Sequence, residues 1–162
     1  MNTVVVYYSL DGNTQFIAEE ISKHYQAELI NLKPVKEISR AEPVKHIWGG
    51  KQVLMQEAPP LENYNFNPEN YDLIFLGTPV WSFTFSPPMR SFLKENYIKG
   101  KDVVIFCTHR GIPGRTFPHL RKELAGNNII QELSFRNVLG QKTKAQQKLS
   151  DHLSEINNQL SY

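Results

Sequence analysis

Short apolar runs that alternate with segments of helical periodicity constrain the fold of this chain more than any other feature. Three of these runs are "TVVVYY" at 3–8, "YDLIFLG" at 71–77 and "KDVVIFCT" at 101–108. Such runs are typical of the central strands of a parallel sheet, because helices cover both of its faces. We therefore predict strands at these positions, the second of them ending at Gly77.

Weaker patterns fill the intervals between these strands. An alternating segment at 27–32 predicts an edge strand, and another at 129–139 predicts a fifth strand that is interrupted near Arg136. Helices are predicted at 14–25, 87–97, 115–125 and 142–160, and more weakly around 43–56. In the last helix four residues should face inward: Ala145, Leu149, Leu153 and Ile156. This alternation indicates an α/β fold with a doubly wound, five-stranded parallel sheet.

Composition limits what the chain can do. Its 162 residues contain no repeats and predict a single domain over 1–162. The net charge of +2 argues against a nucleic-acid partner, which usually requires a strongly basic stripe. No run approaches the ~20 apolar residues of a membrane span, and the first residues do not resemble a signal peptide. Since the single Cys107 can form neither an internal disulfide nor a metal cluster, we expect a cytoplasmic protein without metal.

The loop after the first strand, Ser9-Leu10-Asp11-Gly12-Asn13-Thr14, is small and polar and opens a helix. Backbone N–H groups and the helix dipole favour an anion there, and glycine permits a close backbone approach. The loop holds no Lys or Arg, and the pattern GxxxxGK[ST] is absent, which argues against a nucleoside triphosphate and favours a phosphate monoester. An ordinary polar turn, with Asn13 or Asp11 capping the helix, explains the same residues equally well.

Two further loops follow strands three and four, at the same edge of a parallel sheet. Trp81, Phe83 and Phe85 are expected to leave the sheet and become exposed, where they could stack on a planar ring. Covering the core or forming an interface is an alternative for them. The loop at 108–114 contains two glycines, while His109 alone is more typical of a surface or capping position, and Cys107 should pack in the core.

Together the three loops describe a site for a planar ring with a phosphorylated tail, and they resemble those of the flavodoxin family. "SLDGNT" is similar to the family's phosphate loop S-x-T-G-N-T, "GTPVWSFTFSPPMRSFL" to its second flavin loop, and "THRGIPG" to its third. The resemblance implies a flavodoxin-like three-layer sandwich with strand order 2-1-3-4-5, and FMN as cofactor. It implies these cofactor-binding residues: Ser9, Leu10, Asp11, Gly12, Asn13, Thr14, Thr78, Pro79, Val80, Trp81, Ser82, Thr108, His109, Arg110, Gly111 and Gly114.

The resemblance further implies electron transfer through bound flavin, with a redox partner protein or a small acceptor and no catalytic side chain. Flavodoxins that carry electrons are typically acidic, whereas this chain is slightly basic. Five basic residues follow the third loop, either as a solvated helix face or as a site for an anionic substrate: Arg110, Arg115, His119, Arg121 and Lys122.

Two other functions stay open on the sequence. The anionic-substrate interpretation would make the chain an FMN-dependent NAD(P)H oxidoreductase acting on a quinone or another small acceptor. A doubly wound signalling or binding domain without flavin is the other alternative. Against it, the first strand is not followed by the acidic pair of a receiver domain, and the first loop has no nucleophilic cysteine. Either a monomer or a homodimer is compatible with the sequence.

Overall fold

The computed structural model describes residues 1–36 and 57–161, so the helix predicted around 43–56 lies outside the described residues. Strands in this part of the chain are β1 Thr3–Tyr7, β2 Glu28–Asn31, β3 Leu73–Trp81, β4 Thr84–Phe85, β5 Asp102–His109 and β6 Asn128–Arg136. Helices are α1 Asn13–Tyr25, α2 Pro87–Glu95, α3 Thr116–Glu123 and α4 Lys142–Leu160, with a short 3₁₀ turn at Pro68–Asn70.

The five main strands are parallel and follow the order β2-β1-β3-β5-β6. With the two-residue β4 set aside, this is the predicted order 2-1-3-4-5, and the predicted α/β fold is confirmed. Strand β2 lies at the edge of the sheet, as its alternating pattern indicated. The winding direction reverses between β1 and β3, and ligands of such sheets bind beyond the carboxyl ends of the strands at that point.

Each face of the sheet carries its own apolar core. Along β1, Val4 and Val6 pack into the core that α2 and α3 help to cover, whereas Val5 and Tyr7 pack into the core beneath α1 and α4. The four inward residues predicted for α4 are all buried in that second core. Burial of one such side chain contributes ~1.5–3 kcal/mol, so the two cores hold the strand ends in fixed positions.

The third strand does not end at Gly77, as the sequence predicted, but continues to Trp81. Pairing with β5 extends to Pro79, and Val80 and Trp81 pair with the short antiparallel strand β4. Gly77 has a packing role instead, because a Cβ atom there would lie 2.1 Å from the ring of Phe106.

The fifth parallel strand, β6, is irregular at a different place from the one predicted. It ends at Arg136, and its register with β5 shifts between Val103 and Val104, opposite Ile129 and Gln131. The extra residue in β6 therefore lies near the start of the strand, away from the edge at which the loops converge.

Candidate functional site

A cleft of about 700 Å³ opens at the carboxyl edge of the sheet, beside the point at which the winding reverses. Loops after β1, β3, β5 and β6 line it, so the fold brings together segments that are far apart in the sequence. Its volume falls within the ~300–1,000 Å³ typical of small-molecule and cofactor sites.

The loop after β1 forms a tight turn into α1. Gly12 is the N-cap residue and has φ of +83°, a left-handed conformation that glycine adopts without strain. Its N–H donates to Ser9 Oγ at 3.1 Å, which closes the turn. The N-cap residue Gly12 has no side chain to cap the helix, and Asn13 lies inside the helix with its Oδ1 atom bonded elsewhere, so the alternative of an Asn13 cap is wrong. The first residues of α1, Asn13 and Thr14, line the cleft, so the amide end of the helix lies beside it.

Two further hydrogen bonds fix this loop to the body of the protein. The Oδ1 atom of Asn13 accepts a hydrogen bond of 3.1 Å from the N–H of Leu139 in the loop after β6. Since Oδ1 is thus engaged, the amide NH₂ of Asn13 is the part left to act as a donor. The hydroxyls of Thr14 and Thr108, both buried, lie 2.8 Å apart and join the first loop to the end of β5.

A hairpin between β3 and β4 forms the aromatic wall of the cleft. Trp81 is half-buried and meets the ring of Tyr8 edge-on, with 5.6 Å between centroids and 83° between planes. At the tip of the hairpin, Ser82 and Phe83 have φ of +46° and +65°, and the Phe83 side chain is 66% exposed. Phe85 was predicted to be exposed as well, but it is buried, because its ring is part of the core.

The loop after β5 packs against this hairpin through its backbone. Gly114 has φ of +58°, and a Cβ atom there would lie within 2.8 Å of Phe83 backbone atoms. The N–H of Arg115 donates to the Phe83 carbonyl at 2.6 Å. Glycine at position 114 is thus what lets the two loops meet and form one continuous wall.

His109 ends β5 and lines the cleft, partly buried. Its Nε2 atom lies 2.8 Å from Ser134 Oγ on β6. Desolvation lowers the pKa of His109, an effect that the Gly111 backbone opposes and the charges of Arg136 and Lys148 reinforce. The neutral ring is therefore favoured at neutral pH. Cys107, two residues earlier, is fully buried as predicted, and burial raises the pKa of its thiol to about 12, so it acts as a packing residue.

Most of the residues implied by the resemblance are brought together around the cleft. They are Ser9, Leu10, Asp11, Asn13, Thr14, Pro79, Val80, Trp81, Ser82, Thr108, His109, Arg110 and Gly111. The other three support the walls from behind. Gly12 shapes the first turn and Gly114 joins two loops, while the buried Thr78 hydroxyl accepts a 2.9 Å hydrogen bond from the Ser86 N–H.

Four lining residues were absent from the implied set: Phe83, Ile112, Asn137 and Leu139. Asn137 and Leu139 belong to the loop after β6, and the Asn137 N–H donates to the His109 carbonyl at 2.9 Å. Parallel strands present all their carboxyl ends at one edge, so the turn "RNVLG", with Asn and Gly after the fifth strand, was the signal for this part of the cleft.

The five basic residues that follow the third loop do not form one cluster. Arg121 pairs with Glu132, and Nδ1 of His119 lies 2.7 Å from Thr84 Oγ1. Arg110 lines the cleft, whereas Arg115 and Lys122 are exposed. A solvated helix face therefore describes most of this segment. Of the five residues, Arg110 is the one placed to contact an anionic ligand in the cleft.

The fold and the cleft together define a doubly wound α/β protein that can hold a ligand between its first and third strands. Residues 2–148 match the sequence model of the flavodoxin family, so the chain belongs to the flavodoxin family, as its loop motifs predicted. No functionally curated protein matches the chain. Within residues 1–36 and 57–161, no helix has the length and apolar character needed to cross a membrane.

Solved structures similar to this chain include flavoproteins. A flavoprotein from Lactobacillus acidophilus NCFM, in complex with FMN, is 26% identical, with a TM-score of 0.71 over 86% of this chain and 96% of that one. A protein from Bacteroides eggerthii DSM 20697 described as a flavoprotein is 21% identical, with a TM-score of 0.79 over 96% and 98%. A flavodoxin from the domain Archaea is 14% identical, with a TM-score of 0.59 over 97% and 99%. The last two likenesses show the fold alone.

Proposed function

We propose that this chain binds FMN in the cleft and uses the bound flavin to transfer electrons. The observation that carries the proposal is that the amino end of α1, with glycine as its N-cap residue, and the half-buried Trp81 line the same cleft. One end of the cleft thus suits an anion and the other a flat aromatic ring. Membership of the flavodoxin family and the likeness to the FMN complex from Lactobacillus acidophilus support the same ligand.

At the anionic end, backbone amides at the start of α1 hold the phosphate group, and the helix dipole favours its negative charge. The Asn13 amide and the hydroxyls of Ser9 and Thr14 add donors around the same point. Since the loop contains no Lys or Arg, neutral N–H and O–H dipoles stabilise the phosphate charge. Asp11 is the one carboxylate lining the cleft among the described residues, and its exposed position suits an orientation away from the phosphate.

At the other end, the hairpin and the loop after β5 hold the ring between them. Trp81 offers a flat apolar face, and the backbone of His109 to Ile112 offers polar atoms to the ring edge. Bound FMN supplies one-electron or two-electron redox chemistry, which the surrounding residues tune by excluding water and setting local polarity. Trp81 disfavours the negatively charged reduced ring and so lowers its potential.

Titration of the flavin-free chain with FMN and with riboflavin, followed by flavin fluorescence, tests the proposal. FMN should bind at least about 100-fold more tightly than riboflavin, because a phosphate held by several charge-assisted hydrogen bonds contributes ~3 kcal/mol or more. Failure to bind FMN, or equal affinity for both flavins, would refute the phosphate seat.

The role of Trp81 is tested with Trp81→Ala. We expect weaker binding of both flavins by roughly tenfold and a higher reduction potential, since loss of an aromatic stacking partner removes ~0.5–1.5 kcal/mol plus its buried area. Tyr97→Ala is the matched control, because Tyr97 is 79% exposed and follows α2 at the opposite edge of the sheet. An unchanged potential and affinity in Trp81→Ala would contradict the assignment.

Direct reduction by NAD(P)H, with a quinone or another small acceptor, is the second candidate function. Arg110 favours it, since this cation lines the cleft and could meet the phosphate of a nicotinamide cofactor. Oxidation of NADPH by the FMN-loaded chain with a quinone and no protein partner would establish the reductase. A bound flavin that NADPH does not reduce would leave electron exchange with a protein as the function.

A further inference from the structure

Charge is strongly segregated along this chain, although its net charge is only +2. The segments 103–122 and 133–150 together contain eight Lys and Arg and no Asp or Glu. The rest of the chain contains ten Lys and Arg against sixteen Asp and Glu, a net charge of −6. The near-neutral total therefore conceals a strong charge asymmetry.

The structure places five of these cations at the carboxyl edge of the sheet, beside the cleft, in the loop after β5, at the end of β6 and in the first turn of α4. We call them the basic flank: Arg110, Arg115, Arg136, Lys142 and Lys144. All five are exposed, and none forms a salt bridge within the described part of the chain. The amino ends of α3 and α4 lie at the same edge, and their dipoles add to the positive potential.

Exposed apolar side chains lie at the mouth of the cleft, next to the basic flank. Phe83, Ile112 and Leu139 are 66%, 62% and 42% exposed, and all three line the cleft. Apolar residues at the centre with arginine around them are typical of a protein interface. Residues 37–56, outside the described part, contain three cations and two carboxylates.

We propose that the basic flank and these apolar residues dock an acidic electron-transfer protein. The proposal rests on the proposed FMN function, because it places the exposed edge of the bound flavin at the centre of the interface. Complementary charge accelerates encounter and orients the two partners, without requiring a tight complex. The charges on the two surfaces would thus be opposite in sign to those of an acidic flavodoxin docked on a basic partner.

The arrangement fits a protein better than a nicotinamide nucleotide. The cations belong to a loop, a strand end and a helix, and only Arg110 of the five lines the cleft. A nucleotide phosphate would be held by donors that converge on one point, whereas these side chains are exposed and spread around a rim. Such a rim suits a brief, salt-sensitive encounter between two surfaces.

Cytochrome c and the same protein with its lysines succinylated form a pair of probes with one haem and opposite charge. We would add each to the ¹⁵N-labelled chain at low ionic strength, with and without FMN. The succinylated form should shift amide signals of 109–115 and 136–144 and bind at least ~tenfold more tightly than the native form. Raising the salt concentration should abolish this difference in affinity, since the Debye length falls to ~10 Å at 0.1 M ionic strength. Equal binding, or shifts confined to other surfaces, would overturn the proposal.

Charge reversal tests the flank itself. Arg115→Glu with Lys144→Glu changes two exposed residues that do not line the cleft, and should weaken binding of the succinylated probe by about tenfold. The matched control is Lys94→Glu with Lys99→Glu, in the last turn of α2 and before β5, at the opposite edge of the sheet. An equal loss in both double variants, or an unchanged affinity in the first, would contradict docking at the flank.

Electron exchange gives an independent readout once FMN is loaded. Each fully reduced flavin, prepared with dithionite, would pass one electron to each of two ferric haems and release its protons to solvent. At low salt the succinylated probe should be reduced faster than native cytochrome c. The double variant Arg115→Glu with Lys144→Glu should remove this difference in rate. Failure of FMN to load would refute the proposed function, whereas the amide-shift experiment still decides the docking proposal on the flavin-free chain. Loss of NADPH affinity in the variant, with probe binding intact, would assign the flank to a nucleotide.

Discussion

The two walls of the cleft are stabilised in different ways. The loop after β1 is fixed by side chains, through hydrogen bonds between Ser9 and Gly12, Asn13 and Leu139, and Thr14 and Thr108. The hairpin that presents Trp81 is joined to α3 by the side-chain hydrogen bond between Thr84 and His119, but its tip meets the next loop through backbone contacts. There the Phe83 carbonyl accepts one hydrogen bond from Arg115, and Gly114 packs against the Phe83 backbone.

This difference suggests a division of labour within the site. Side-chain hydrogen bonds fix donor positions, which suits recognition of a small anion of definite geometry. At the hairpin, Ser82 and Phe83 adopt left-handed conformations that are unfavourable for residues with a Cβ atom. Because packing on the next loop must maintain that conformation, this wall should be the less stable of the two. Substitutions in the first loop should therefore alter selectivity, and those in the second wall should alter local stability.

Gly114→Ala should have the largest effect of the substitutions considered. A left-handed φ costs ~1–2 kcal/mol for alanine, and displacement of the Phe83 backbone costs a further ~1–3 kcal/mol. We expect the free energy of unfolding to fall by about 2–4 kcal/mol in urea denaturation, with weaker binding of FMN and riboflavin alike.

Alanine substitutions at two other glycines separate the conformational cost of Gly114→Ala from its steric cost. Gly100 has φ of +68°, but a Cβ atom there would meet no other atom within 4 Å, so Gly100→Ala should show the conformational cost alone, ~1 kcal/mol. Gly111 has neither constraint, and Gly111→Ala should change stability by less than ~0.5 kcal/mol. If all three variants were equally stable, the hairpin would not depend on the contact at Gly114.

Asn13→Asp should produce the next largest effect, and on the opposite wall. The new carboxylate can still accept from the Leu139 N–H, but it replaces the amide donor with a negative charge beside the phosphate. FMN affinity should fall by about 100-fold, ~2.8 kcal/mol, while riboflavin affinity changes by less than about threefold. Fluorescence titration with both flavins measures the two effects.

The same substitution at a distant site is the control for Asn13→Asp. Asn157 in α4 accepts a 2.8 Å hydrogen bond from the Tyr25 hydroxyl, and Asn157→Asp keeps that acceptor while adding an equal charge. It should leave FMN affinity within about twofold of the wild type. Comparable losses of FMN and riboflavin in Asn13→Asp would mean that the first loop supports the site without recognising the phosphate.

The sequence predicted the order and type of the main elements because each apolar run is buried on both faces. It was wrong about the end of β3, since a glycine after an apolar run usually indicates a turn. Gly77 is instead required within the strand by the ring of Phe106, which is distant in sequence and lies on the neighbouring strand. Contacts between neighbouring strands of this kind leave no local pattern.

The same limit applies to the cleft. The polar loop after β1 and the aromatic residues after β3 were recognisable, since their composition is unusual for turns. The burial of Phe85 could not be predicted in this way, because it follows from the antiparallel pairing of Val80 with Phe85, which directs this ring into the core. Nor could the hydrogen bond between Asn13 and Leu139 be predicted, since it joins loops that only the folded sheet brings together.

The smallest expected effect concerns pH and the wall formed by the loop after β5. The folded chain lowers the pKa of His109 below the unfolded value of about 6.5, mainly by desolvation. Below that pH the unfolded chain binds a proton that the folded chain does not, so stability should fall as the pH drops through ~6.5 towards the folded pKa. The decline reflects one group, so we expect it to be smaller than the effects of the substitutions above.

His109→Gln removes this proton and should flatten the decline in unfolding free energy between about pH 7 and 5. Nearby charges agree with that sign, since protonated His109 would face Arg136 and Lys148, and neither can neutralise it. Histidine NMR signals from the wild type locate the titration directly. If His109→Gln instead made the unfolding free energy fall more steeply as the pH drops, protonated His109 would stabilise the fold. The wall formed by the loop after β5 would then depend on a hydrogen bond from the charged imidazole to Ser134.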